Sequence, residues 1–162
     1  HFAKGFDNAI WKQLTPEEQT QVPLYKKISE IPFDPMRRRN IAILSKDNKY
    51  MLIVRGMFEE VIKHTQEQQR ELNAWALERG KVGNRVLAIG YKELTEQEAQ
   101  QIIENGEEKN ITILGAIAFE DPIKSTAKQA VLQAQQLGLI IKILSGDSKE
   151  VCGAVAKEIG LI

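Results

Sequence analysis

Apolar positions set the first expectations. Phe6, Ile10 and Leu14 recur at i, i+4 and i+8, one face of an opening helix. Thr15-Pro16 ends it, because the residue before a proline is pushed out of the helical region. Tyr25 to Phe33 alternates loosely between prolines and reads as a strand. Ile41–Leu44 and Tyr50–Val54 are β-rich runs joined by Ser-Lys-Asp-Asn-Lys, the pattern of a hairpin. Gly56 breaks the second of them, or lets a flat ligand approach the strand end. Phe58, Val61 and Ile62 suit a short helix with Lys63 and His64 at its negative end. A helix over about 66–79 stops at Gly80, and 65–71 forms its solvated polar face. Arg85–Lys92 is a further strand. Thr95-Glu-Gln-Glu98 is a capping box that opens a helix to about Glu104.

The pattern then changes. Ile111–Phe119 is a near-continuous apolar strand, and Ser125–Leu137 is a helix closed by Gly138. Leu139–Leu144 is a second apolar strand, and Lys149–Ile159 a second helix with Val151, Val155 and Ile159 on one face. Continuous apolar strands alternating with helices predict a parallel βαβα unit covered on both faces. The earlier, half-polar strands predict a mainly antiparallel sheet with flanking helices. The expectation is an α/β chain divided near residue 112, into 1–112 and 113–162.

Composition narrows the classes. The 22 basic and 22 acidic residues cancel, and residues 113–162 carry five of each. That excludes a polybasic nucleic-acid binder or an acidic tail as the main identity. The longest uncharged stretch, Gln129–Ile141, contains four glutamines and falls short of the roughly 18 apolar residues of a membrane helix. The single cysteine, Cys152, excludes an internal disulfide and fits a reducing compartment. The chain opens His-Phe-Ala-Lys-Gly, which reads as a piece of a longer protein without a signal peptide.

Three segments carry candidate chemistry. Ser145-Gly146-Asp147 ends the second apolar strand, where open α/β sheets bind ligands. A hydroxyl, a bare backbone and a carboxylate there suit a phosphoryl group, and they equally suit a plain turn capped by Asp147 or Ser148. Asp121 and Lys124 flank Pro122 after the first apolar strand, facing the same cleft or capping the next helix. Phe33-Asp34-Pro35-Met36-Arg37-Arg38-Arg39 is the most unusual segment. Three consecutive arginines cannot share one face. One pairs with Asp34 and others meet phosphate, or all are solvated. Phe33 is a stacking platform for a base or a core residue. Val54-Arg55-Gly56 adds a cation at a strand end.

The order of these segments resembles the cytoplasmic headpiece of P-type cation-transporting ATPases. Ile31-Pro32-Phe33-Asp34 with Arg37-Arg38-Arg39 is similar to the segment bearing that family's adenine-stacking Phe. Arg55-Gly56 before Glu59-Glu60-Val61-Ile62 resembles its Lys-Gly-Ala-Pro-Glu motif. Gly83-Asn84-Arg85-Val86-Leu87-Ala88 resembles its Gly-Leu-Arg-Val-Leu-Ala strand. Asp121-Pro122-Ile123-Lys124 and Ser145-Gly146-Asp147 resemble Asp-Pro-Pro-Lys and Thr-Gly-Asp. The wording is nearest to magnesium- and calcium-type pumps.

The resemblance implies a nucleotide-binding domain and the start of a phosphorylation domain of haloacid-dehalogenase-like fold. It implies that Asp7 accepts from the adenine amino group, Phe33 stacks on the base, and Arg38, Arg55 and Arg85 face phosphate beside Gly56. Ser145, Gly146, Asp147, Asp121 and Lys124 would line the phosphoryl-transfer site. ATP and Mg2+ are the implied ligands, with no metal ligand in this chain. The parent would be an ATP-hydrolysing ion pump at a membrane, in a bacterial plasma membrane, with this part on the cytoplasmic face. Its other domains would be the partners of this one.

The departures are Arg55 for Lys, Met57-Phe58 for Ala-Pro, Ile123 for Pro and Ser145 for Thr. No Asp-Lys-Thr-Gly-Thr occurs, so the chain by itself is expected to be inactive, with an exposed strand edge at Leu139–Leu144 that invites a homo-oligomer. The alternative is a stand-alone nucleotide-binding or regulatory module. A phosphatase of related fold is disfavoured by the lack of an Asp-x-Asp or Asp-x-Thr strand.

Overall fold

The computed structural model describes residues 2–65 and 69–162, the first three by backbone alone. The elements in chain order are α1 (Phe2–Trp11), α2 (Pro16–Gln21), β1 (Lys26–Asp34), β2 (Arg39–Lys46), β3 (Lys49–Met57), α3 (Phe58–Val61), α4 (Arg70–Lys81), β4 (Arg85–Leu94), α5 (Glu96–Asn105), β5 (Thr112–Phe119), α6 (Ala127–Gln136) and α7 (Lys149–Glu158). The five strands form one antiparallel sheet in the order β1-β2-β3-β4-β5. The expected hairpin joins β2 to β3 through a tighter loop than the sequence suggests. Lys46 pairs with Lys49, and Asp47 and Asn48 take φ of 50° and 60°. Two left-handed residues twist with the strands, and Asp and Asn tolerate that conformation best after Gly.

Alternation gives the sheet two faces. Ile41, Ile43, Leu52, Val54, Val86 and Ala88 point to one side, where Phe58, Val61, Ala76, Ala99, Ile102 and Ile111 bury them. The other face is half-buried, and α1 rests on one end of it. Phe6 meets Phe119 edge-on, with ring centroids 4.6 Å apart and planes at 66°.

The sheet corrects the expected parallel unit. β5 pairs antiparallel with β4 from Arg85↔Phe119 to Tyr91↔Thr112. Its continuous apolar run has another cause: Ala116 and Ala118 pack against the core, while Phe119 meets α1 on the opposite face. Leu139–Leu144 forms no strand. Among the described residues no strand pairs with it, and Ile140 and Leu144 are 88% and 96% exposed. Helices α6 and α7 form where the periodicity predicts, and Val151 and Ala156 bury the face of α7.

Three local expectations also change. Thr15-Pro16 ends α1 but starts α2: Thr15 accepts from the Glu18 amide, Glu18 answers at the Thr15 amide, and Pro16 sits in the first turn. Gly80 does not stop α4. It is buried inside the helix, where a Cβ would lie 3.2 Å from Glu150 Cβ of α7. The predicted start of that helix at 66–68 lies outside the described residues. Gly56 does not break β3, which continues to Met57.

Candidate functional site

The strand register brings the predicted residues to one end of the sheet. Asp34 closes β1 opposite Arg39, Arg39 faces Gly56 on β3, and Arg85 opens β4 opposite Phe119 at the end of β5. The β1–β2 turn, the end of β3, the start of β4 and the segment after β5 therefore share an edge. Phe6 and its neighbour Asp7 bring α1 to the same place.

The first cluster lies on the half-buried face. Arg55 Nη1 donates to Asp7 Oδ1, and Arg55 Nε reaches Asn40 Oδ1 of the neighbouring strand at 3.4 Å. Asp7 keeps Oδ2 as an acceptor, and its side chain is 53% exposed.

The second cluster is the β1–β2 turn. Asp34 Oδ1 accepts from the Met36 amide at 2.7 Å, an Asx turn rather than an arginine pair. Arg38 adopts φ of 51°, donates its amide to the Asp34 carbonyl at 2.6 Å and accepts from the Met57 amide at 3.0 Å. The three arginines then diverge. Arg37 Nη2 lies 3.0 Å from Glu108 Oε2, and Arg39 Nε donates to Glu108 Oε1. Glu108 is fully buried, whereas Phe33 remains 55% exposed. Arg38 contributes to the charge felt by Glu60. That carboxyl is held below its usual value, first by a hydrogen bond from Lys63 Nζ at 2.7 Å. Burial opposes the shift, and the charges of Lys63, Arg38 and Arg39 add to it.

Gly56 is part of this turn. A Cβ there would lie 2.6 Å from the Arg38 carbonyl oxygen and would strike the Cβ of Arg39. The arginine stem occupies the space that a side chain at position 56 would need.

The third cluster joins Arg85 to two carboxylates, with Nη1 3.1 Å from Asp121 Oδ2 and Nε 3.1 Å from Asp147 Oδ1. Ser145 Oγ donates to Asp147 Oδ2 at 2.9 Å and accepts from the Asp147 amide at 3.1 Å. Both oxygens of Asp147 are thereby engaged. The helix cap is Ser148, whose Oγ accepts from the Val151 amide at 3.4 Å. Gly146 borders open space, and the Lys124 side chain is exposed. The seam beneath, lined by Met57, Glu59, Asn84, Arg85, Asp147 and Ser148 among others, encloses only about 10 Å³. A void that small holds at most one water, so any ligand sits on the sheet end rather than within the seam. A hollow of about 630 Å³ between α4 and β5, lined by residues such as Leu72, Trp75 and Leu114, contains none of the predicted site residues. Among the described residues no group of three or more His, Cys, Asp or Glu side chains is placed to hold a metal ion.

Sequence reasoning missed Glu108 and Asn40. Asn40 follows from register once β2 and β3 are paired. Glu108 stands in a polar loop, and its only signal is the neighbouring charge that three adjacent arginines require if any is to be buried.

The described residues thus form an α/β unit, a five-stranded antiparallel sheet with flanking helices, with arginines and an exposed Phe at one end. Comparison with known proteins gives the class a family. The model of the P-type ATPase cytoplasmic domain N matches residues 64–126. The magnesium-transporting ATPase, P-type 1, of Escherichia coli K12 is 28% identical over 99% of this chain and 20% of its own length. That of Salmonella typhimurium strain 14028s is 30% identical over 98% of this chain and 18% of its own. Calcium-transporting ATPase 1 of Saccharomyces cerevisiae is 28% identical over 96% and 18%. Residues 64–126 thus match the cytoplasmic N domain, and nearly the whole chain is similar to P-type cation-transporting ATPases. It spans about a fifth of the length of these relatives. Their names favour the pump reading over the stand-alone module. No helix among the described residues is long and apolar enough to cross a membrane.

Proposed function

We propose that this chain is the ATP-binding part of a membrane cation pump, and that ATP binds at the shared sheet end. The base stacks on Phe33, which is exposed and held at the end of β1. The adenine amino group donates to Asp7 Oδ2, while Oδ1 stays with Arg55. Phosphates lie along Arg38, Arg55 and Arg85, with Gly56 keeping the strand end low. Mg2+ enters as the ATP complex, and its protein ligands are assigned to the rest of the parent. The observation that carries this reading is the convergence of Asp7–Arg55, the Phe33–Arg38 turn and Arg85 at one end of the sheet.

In the parent, an aspartate outside this sequence attacks the γ-phosphorus. An acyl phosphate forms, the bond to the β–γ bridging oxygen breaks, and ADP leaves with that electron pair. Ser145, Gly146, Asp147, Asp121 and Lys124 are assigned to the phosphoryl-transfer end of the cleft. Hydrolysis of the acyl phosphate would drive ion movement, with magnesium or calcium as the cation class. This chain then lies on the cytoplasmic face of a membrane. The chain divides near residue 112, with residues 113–162 opening the phosphorylation domain and β5 running from it alongside β4. Leu139–Leu144 receives a strand from the remainder of the pump, or from a second copy when the chain is alone.

Titration with ATP followed by amide NMR tests the reading. Shifts centred on Asp7, Phe33, Arg55 and Gly56 are expected. A folded sample with no shift at these residues in several millimolar ATP would sink it.

A further inference from the structure

We infer that Glu108 is a positioning residue for the nucleotide site, acting through the β1–β2 turn without touching ligand. This rests on the assignment of Phe33 and Arg38 to ATP. Glu108 comes from a distant part of the chain, in the connection between α5 and β5. Gly106 takes φ of 66° to end α5 and turn the chain toward β1. There its carbonyl accepts from Arg37 Nη2, and a Cβ on Gly106 would lie 3.5 Å from Ile31. His64 fixes the Glu108 backbone. Its Nδ1 lies 3.1 Å from the Glu108 carbonyl oxygen, an acceptor, so that nitrogen carries the proton. The Ile111 amide donates to the His64 carbonyl at 3.1 Å.

From this anchored backbone the carboxylate reaches two guanidinium groups at once. Arg37 and Arg39 are 29% and 11% exposed, and Glu108 is 0% exposed. A buried carboxylate gripped by two arginines is tolerated only in a narrow geometry, because either charge left unpaired is strongly unfavourable. The grip fixes both neighbours of Arg38. With residues 37 and 39 drawn inward, the residue between them must project the other way. Its left-handed φ and its carbonyl bond to the Met57 amide are the backbone form of that reversal. The Arg39 stem meanwhile fills the space over Gly56. One carboxylate therefore sets Arg38, the end of the strand bearing Phe33, and the approach to β3. None of the ligand-facing residues supplies this order by itself.

Glu108→Gln in the full 162-residue chain is the test, with ATP affinity read at a temperature where the variant is fully folded. The expected loss is about fivefold, and it should shrink toward none when Phe33→Ala is also present, because coupled residues are not additive. A purely structural role lowers the melting temperature but leaves the affinity of the folded fraction, and its coupling to Phe33, unchanged. In the ligand-free protein the Arg38 and Met57 amide resonances should move. Should Glu108→Gln fail to fold, Arg37→Gln removes the more exposed arm and should move the same amides, with a loss of about twofold. A folded variant that binds ATP like the parent sequence, with those amides unmoved, overturns the proposal. If the unaltered chain binds no ATP, the nucleotide reading fails by itself. The amide shifts then decide whether Glu108 orders the turn.

Discussion

Nε of Arg85 lies 3.1 Å from Oδ1 of Asp147, tying the first residue of β4 to the turn that opens α7. Asp121 holds the same guanidinium from the segment after β5. A phosphate at the sheet end must therefore compete with two carboxylates for Arg85. Asp147→Asn should strengthen ATP binding by about two- to threefold at low ionic strength, and the gain should fade with added salt. Arg85→Gln should weaken binding. Arg85 and Asp147 are only 25% and 22% exposed, so either change should also lower the melting temperature. Calorimetric titration at two salt concentrations checks the sign, and weaker binding by Asp147→Asn would contradict the competition.

Stacking should outweigh charge in the isolated chain. A base on Phe33 with one or two hydrogen bonds supplies about −4 to −6 kcal/mol, a Kd of roughly millimolar to tens of micromolar. Arg55 and Arg85 already hold carboxylates, which offsets what they can add at the phosphates in salt. Phe33→Ala should reduce ATP affinity more than Arg38→Ala, and AMP should bind nearly as well as ATP. The reverse order of the two variants would place the phosphates, not the base, in control.

Gly56→Ala should be costly for a reason unrelated to ligand. The added methyl meets the Arg38 carbonyl, held by the Met57 amide, and the Arg39 stem, held by Glu108. Overpacking of this kind costs about 1–3 kcal/mol. Thermal melting should show that loss without nucleotide present. A variant as stable as the parent would mean that the turn yields freely.

Acid should loosen the start of α5. The Glu98 carboxyl is pulled down from its usual 4.5 to about 2, first by the Thr95 amide, then by Lys92 and the Thr95 hydroxyl. A lowered folded value means stability that is fully present above pH 4.5 and lost as pH falls through about 2. Carboxyl NMR should find a Glu98 midpoint near the lower limit, and Lys92→Met should raise it. A midpoint at the ordinary glutamate value would show that the capping box is open in solution.

Phosphate release by the isolated chain should not exceed background, because no Asp-Lys-Thr-Gly-Thr segment occurs in its sequence. Release that Asp147→Ala abolishes would overturn that assignment.

Local chemistry was the legible part of this sequence. Two β-rich runs around Ser-Lys-Asp-Asn-Lys dictate a hairpin, though not its two-residue turn, and Thr95 with Glu98 dictates a helix start; both depend on neighbours within a few residues. Long-range pairing was harder to read. The continuous apolar run of β5 has the same composition whether a parallel sheet or a core and α1 cover its two faces. Leu139–Leu144 has every local property of a strand, but a strand also needs a neighbour. At Thr15-Pro16, one dipeptide serves as the end of one helix and the start of the next. The candidate site divides in the same way. Phe33, Arg38 and Arg85 stand out by residue type, whereas Glu108 depends on a contact between distant parts of the chain that no local pattern encodes.

The Leu139–Leu144 segment also bears on how this polypeptide behaves during synthesis. Leu-Ile-Ile-Lys-Ile-Leu combines high strand propensity with one charge, Lys142, and the structure leaves its ends in solvent. Six-residue segments of this kind nucleate cross-β stacking when they remain uncovered. Lys142 supplies the one charge in that run, and like charges repel copies brought into register. Replacing Lys142, an exposed side chain outside the buried core, by a neutral residue would remove that repulsion.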